Sequence, residues 1–137
     1  MAGGLVTLKT RADFLRVAGV RRSAATPGLV LQAARRQRPE EDATVRVGFT
    51  ASRKVGNAVE RNHAKRRLRA VAAAVLPRFG RPGTDYVLIA RGSTGERPFA
   101  ALLVDLETAL RRLNSPRTRA EEQANVGREG TQFPAAD

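Results

Sequence analysis

From Asn57 to Leu76 the chain contains neither Gly nor Pro, and Pro77 is the first break. Asn57-Ala-Val-Glu60 opens this run with a capping box, in which a side-chain acceptor and a carboxylate three residues on satisfy backbone N–H groups at a helix start. A helix of about five turns is therefore predicted, ending at Pro77. At about 100° per residue, Leu68, Val71, Ala72, Val75 and Leu76 fall on one arc about 140° wide, an apolar stripe that has to pack on a sheet. Arg61, Asn62, Lys65, Arg66 and Arg69 form a second arc of similar width, which adjoins and partly overlaps the first, with Arg67 well off it. A fold for this chain must bury one side of the helix and leave an adjoining, strongly basic side accessible.

The rest of the chain supplies partners for that stripe. Thr10-Arg-Ala-Asp13 caps a short helix over about 10–18, ended near Gly19. Leu29–Ala34 and Val45–Thr50 read as strands separated by the charged loop Arg35–Asp42, and are expected to be antiparallel partners. In the second, Val45, Val47 and Phe49 share one face, while Arg46, Gly48 and Thr50 share a small, polar one. Asp85–Arg91 reads as a third strand. Phe99, Leu102, Leu103, Leu106, Leu110 and Leu113 recur at helical spacing, predicting a final amphipathic helix from Pro98. Residues 1–8 are expected to be a flexible segment, 9–113 one folded domain, and 114–137, polar and without periodicity, a disordered tail.

The basic arc is exceptional in lacking acidic residues. Glu60 is the one acid between Arg53 and Val71, where a solvated helix would gain from interleaved opposite charges. The whole chain carries 25 Lys and Arg against 13 Asp and Glu, a formal net charge of +12. Such an excess favours encounter with polyanions without choosing a fold. Three readings of the arc stand: a nucleic-acid surface, a solvated charged face, or an anionic membrane surface, the last disfavoured by the absence of interleaved Trp, Phe or Leu. The chain has no Cys, so disulfides and thiolate metal sites are excluded. No long apolar run marks a secretory signal or a membrane span, and a cytoplasmic location is expected.

Catalytic candidates are few. His63, the one His, has no acidic partner nearby on the helix. Glu40, Glu41 and Asp42 cluster in a loop with Pro39, where a solvated turn is the ordinary reading. Asp105 and Glu107 diverge by about 200° on their helix. A metal-dependent nuclease needs convergent carboxylates, and no such set is expected, so neither catalytic residues nor a metal site is assigned to this chain.

RNxxKRxxR after SRKVGNAVE, with VRVGFT before and DYVLIAR after it, resembles the protein subunit of bacterial ribonuclease P over about residues 9–113. The resemblance implies an α+β fold, a two-layer α/β sandwich like domain 2 of ribosomal protein S5, with a left-handed β-α-β crossover. It implies an accessory role in an endonuclease whose RNA subunit carries the active site and removes the 5′ leader from precursor tRNA. Arg61, Asn62, Lys65, Arg66 and Arg69 then face the catalytic RNA, with Arg53 and Lys54 in the adjoining loop. Expected partners are that RNA, in a 1:1 complex, and precursor tRNA, with no membrane. Mg2+ is expected in the holoenzyme, held mainly by RNA and by no site on the protein alone. A ribosomal or general RNA-binding protein is the alternative, because the implied fold is shared with ribosomal domains.

The same resemblance implies a cleft for the single-stranded leader between the first helix and the open sheet face. Phe14 matches an aromatic of that cleft, against the rival reading of a core residue. Ala18 and Gln32 stand where many members carry further aromatics, so fewer stacking platforms are expected here, and leader contact shifts toward phosphates and hydrogen bonds. Arg11 and Arg16 flank the cleft helix, with solvation as the rival reading. Gly48 and Thr50 either leave room for a nucleotide chain or, for the Gly, mark a bulge. Gly56 is expected to shape the turn that Asn57 caps.

Overall fold

In the computed structural model, which describes residues 5–38 and 41–114, the elements are β1 (Val6–Thr7), α1 (Arg11–Val20), β2 (Ser23–Thr26), β3 (Leu29–Arg35), β4 (Arg46–Thr50), α2 (Ala58–Phe79), β5 (Thr84–Ala90) and α3 (Phe99–Asn114). One five-stranded sheet has the order β1-β4-β5-β3-β2. β4 is parallel to both β1 and β5, and β3 is antiparallel to both β5 and β2. The expectation that Leu29–Ala34 and Val45–Thr50 are antiparallel partners is thus half right: β3 and β4 run in opposite directions, but β5 lies between them and they do not pair. Tyr86, Val87 and Leu88 of β5 are all buried, and a strand apolar on both faces takes the centre of a sheet.

Two strands have weak sequence signals. β2 is Ser-Ala-Ala-Thr, paired to β3 across the Pro27-Gly28 turn, where Thr26 Oγ1 donates to the Leu29 carbonyl at 3.0 Å. β1 is two residues long; Val6 N–H donates to Val45 O at 3.2 Å and Leu8 N–H to Val47 O at 2.8 Å. Leu8 is buried, so paired structure begins upstream of the residue-9 boundary expected from sequence. The expected tail lies outside the described residues from residue 115 onward.

The helices divide between the two faces of the sheet. Leu68, Val71, Ala72, Val75 and Leu76 of α2 are all buried, as expected from the apolar arc, together with Ala64. They join Leu102, Leu106, Leu110 and Leu113 of α3 over Leu29, Leu31, Val47, Tyr86 and Leu88. Burying each Leu or Val contributes about 1.5–3 kcal/mol, and this layer is the main core. α1 packs on the opposite face over β3 and β5, where Val17 meets Leu8, Ala34 and Val87.

The caps form as read, but both helix ends shift. Asn57 Oδ1 accepts from Glu60 N–H and Glu60 Oε1 from Asn57 N–H, each at 2.8 Å. Gly56 has φ +150, and a Cβ there would collide with the Glu60 carboxylate. α2 continues through Pro77 to Phe79, closed by Gly80 N–H on Leu76 O at 2.8 Å. Proline costs a helix the bond to the residue four back, and one turn from the end that loss does not stop the chain. α1 likewise passes Gly19 and ends where Arg21 turns left-handed at φ 65.

Candidate nucleic-acid interface

The first three turns of α2 carry the basic arc. Asn62, Arg66 and Arg69 are exposed, and Arg61 and Lys65 are half-buried, as their overlap with the apolar stripe requires. Among the described residues, the side chains of Arg61, Asn62, Lys65 and Arg66 form no hydrogen bond or ion pair. Glu60, the one acid nearby, is spent on the cap. Arg69 holds its guanidinium over Phe49, 5.6 Å from the ring centroid, a cation–π contact that fixes its direction. The turn before the helix, closed by Val55 N–H on Ser52 O at 3.0 Å and Gly56 N–H on Arg53 O at 3.2 Å, brings exposed Arg53 and Lys54 alongside the helix start. All seven residues predicted from sequence therefore gather at one end of α2.

Arg67 and His63 lie on another side. Arg67 Nη1 donates to Thr94 O at 2.7 Å, and His63 Nε2 lies 3.2 Å from Gly95 O. These contacts fasten α2 to the turn after β5, which Thr94 Oγ1 in turn fastens to Gly28 O at 2.6 Å. Arg67 is thus excluded from the basic arc by a structural role.

On the opposite face, the leader-cleft candidates divide. A Cβ built on Gly48 would lie 2.5 Å from Phe14 Cζ and 3.2 Å from Leu8 Cβ. The room at Gly48 is filled by the Phe14 ring, and β4 runs in unbroken register with β5 there, so the glycine marks no bulge. Phe14 is half-buried: its ring packs against the smaller core cluster and part of it stays accessible. Thr50 is half-buried, Gln32 is buried at 9% exposure, and Arg11 is exposed.

Arg16 is drawn into a cluster that the sequence did not reveal. Asp85, fully buried at the start of β5, accepts from Arg46 Nε and Nη2, both at 2.7 Å, from Arg36 Nη1 at 2.5 Å, and from Arg16 Nη2. Burial pushes the Asp85 carboxyl up, but the hydrogen bonds and positive charge of the arginines outweigh it and hold the group below the usual carboxylate range. Arg36 is further spent on the carbonyls of Asp42 and Thr44. The available signal was Arg46 on the polar face of β4, opposite the apolar Val47 and Phe49.

Several of the other carboxylates have local partners. Asp105 is bound by Arg97 at 2.6 and 3.1 Å. Glu41 pairs with Arg38 at 3.4 Å, Asp42 Oδ1 accepts from Thr44 N–H at 3.0 Å, and Glu40 lies outside the described residues. Among the described residues no group of three or more His, Asp or Glu side chains is placed to hold a metal ion, and no helix is long and apolar enough to cross a membrane.

Comparison with known proteins follows the same lines. Residues 5–114 match the family model Ribonuclease P. The ribonuclease P protein component of Ruegeria pomeroyi is 53% identical over 117 residues, covering 85% of this chain and 92% of that protein. That of Paramagnetospirillum magneticum is 52% identical over 124 residues, covering 89% and 93%. Among solved structures, the RNase P protein of Staphylococcus aureus superposes with a TM-score of 0.65 at 27% identity, covering 79% of this chain and 94% of that one. That of Thermotoga maritima gives 0.65 at 25% identity, covering 80% and 98%.

Proposed function

Because this chain belongs to the family of bacterial ribonuclease P protein components, we propose that the α2 arc is its docking surface for the ribonuclease P RNA and the α1 face its contact with precursor tRNA. As the protein component of the ribonucleoprotein endonuclease that processes the tRNA 5′ end, the chain has that RNA as its partner. The family assignment sets aside the alternative of a ribosomal or general RNA-binding protein.

The observation that carries the docking surface is the cluster of Arg53, Lys54, Arg61, Lys65, Arg66 and Arg69 beside a carboxylate already committed to a helix cap. Guanidinium and ammonium groups without internal partners satisfy phosphates, and Asn62 adds an amide donor and acceptor among them. Phe14, Gln32, Gly48, Thr50, Arg11 and Arg16 border the α1 face, where a single strand gains one partly accessible aromatic ring and phosphate partners.

In this reading the chemistry belongs to RNA. Mg2+ in the holoenzyme would be held mainly by RNA and would supply the Lewis-acid chemistry for water attack and leaving-group departure, and no residue of this chain is assigned to hold it. The chain's residues bind, orient and reduce repulsion between two polyanions. A 1:1 complex in the cytoplasm follows from the same reading. The test is reconstitution with ribonuclease P RNA and precursor tRNA at low magnesium. Leader release is expected to be stimulated, with precursor bound more tightly than mature tRNA; an unchanged rate together with equal affinities would overturn the proposal.

A further inference from the structure

Asp85 lies on the same sheet face as α1, and it gathers one arginine from α1, one from β4 and one from the segment after β3. Three guanidiniums converge on this one buried carboxylate, with Asp42 a second acid 3.8 Å from Arg36 at the rim. Arg36 is only 13% exposed and is consumed by Asp85 and two backbone carbonyls. Arg16 and Arg46 differ, with side chains 39% and 28% exposed. Arg46 gives Nε and one Nη2 hydrogen to Asp85, and Arg16 gives Nη2. Among the described residues, Nη1 of Arg46 and both Nε and Nη1 of Arg16 meet no acceptor. A guanidinium has five N–H donors in a fixed fork, so each arginine is clamped on one side by Asp85 and presents unspent donors on the other.

The position of this pair matters. Thr50, Gly48 and Arg46 form one row along the α1 face of β4 and span about 13 Å at the rise of an extended strand. Thr50 lies at the end nearest Arg53, Lys54 and the start of α2, Gly48 lies under the Phe14 ring, and Arg46 ends the row against Arg16. We propose that Arg16 and Arg46, held by Asp85 as a positioning residue, form a phosphate clamp for single-stranded RNA that passes over the Phe14 ring between the two ends of this row. The proposal rests on the leader-cleft reading above and adds to it where the strand ends and what holds it. The clamp supplies charge-assisted hydrogen bonds at the end of a cleft that offers only one aromatic ring. Asp85 raises its selectivity by fixing the forks, because a preorganised donor loses less freedom on binding than a mobile one.

The experiment uses the reconstituted holoenzyme and precursor tRNAs carrying a single neutral methylphosphonate at successive leader positions, with mature tRNA alongside. With the wild-type chain, one leader linkage is expected to weaken binding about tenfold when neutralised. With Arg16→Gln, precursor binding is expected to fall by a similar factor and to become insensitive to that linkage, while the salt slope falls by about 0.7. Asp85→Asn is expected to blunt the same linkage, and because burial of Asp85 makes that variant prone to misfold, Arg16→Gln at a partly exposed position carries the test. An Arg16→Gln holoenzyme that keeps the wild-type response at every linkage, or that loses precursor and mature tRNA equally, overturns the clamp. If the wild type prefers precursor but no single linkage matters, the clamp fails and the cleft stands. If the wild type shows no preference for precursor at all, the cleft reading fails and the clamp with it.

Discussion

Asp85 shows how much one side chain can organise. It ties α1, the segment after β3, and β4 together through Arg16, Arg36 and Arg46, and removing one partner of a buried ion pair costs about 3–5 kcal/mol because the others are left uncompensated. Asp85→Asn is therefore expected to lower the unfolding free energy by that amount at pH 7, as measured in urea. Its folded carboxyl titrates below the usual range, so its stabilisation is complete above the unfolded value near pH 3.9 and is lost as pH falls through the folded value. The asparagine variant should accordingly lose less stability than wild type on acidification. A variant as stable as wild type at pH 7 would show that the cluster holds nothing together. Nothing local in the sequence marks Asp85, since a lone acid at the start of an apolar strand looks like the edge of a loop until its three partners converge from distant positions.

At the scale of elements, α2 was legible almost in full. Its cap, apolar stripe and basic arc depend on spacing within one helix, and spacing is what a sequence displays. Strand neighbours were not legible to the same degree, because β5 separates β3 from β4 through contacts made across the whole chain. β1 and β2 escaped notice because two residues, or Ser-Ala-Ala-Thr, carry no strand period and are recruited by the edges already present. The packing of α1 on the sheet yields a sharper prediction. Gly48→Ala places a methyl within the Phe14 ring and is expected to destabilise the fold by about 1–3 kcal/mol. Combining it with Phe14→Leu should cost less than the sum of the two single changes, as expected for residues in contact. Additive effects in urea unfolding would mean that the ring does not occupy the space over Gly48. On α2, Leu68→Ala removes a fully buried side chain and should cost about 2–5 kcal/mol by the same measurement; a loss under 1 kcal/mol would contradict the burial of that stripe.

At the scale of the whole molecule, a net charge of +12 guarantees attraction to RNA but not a docking surface, and the account stands on the distinction between the two. General attraction would make every exposed arginine of α2 nearly equivalent. A single docking face separates Arg66, exposed and without internal partners, from Arg67, one residue on and bound to the Thr94 carbonyl at 2.7 Å. The direct measurement is equilibrium binding of the chain to ribonuclease P RNA between 50 and 200 mM salt, for wild type, Arg66→Ala and Arg67→Ala. With about five phosphates contacted, wild-type affinity should fall roughly a hundredfold over that range. Arg66→Ala is predicted to bind more weakly and to reduce the slope of log affinity against log salt by about 0.7 to 0.9, the contribution of one contact. Arg67→Ala is predicted to leave the slope unchanged, losing only about 1 kcal/mol of stability with its carbonyl bond. Equal reductions in slope from the two variants would contradict a single docking face on α2.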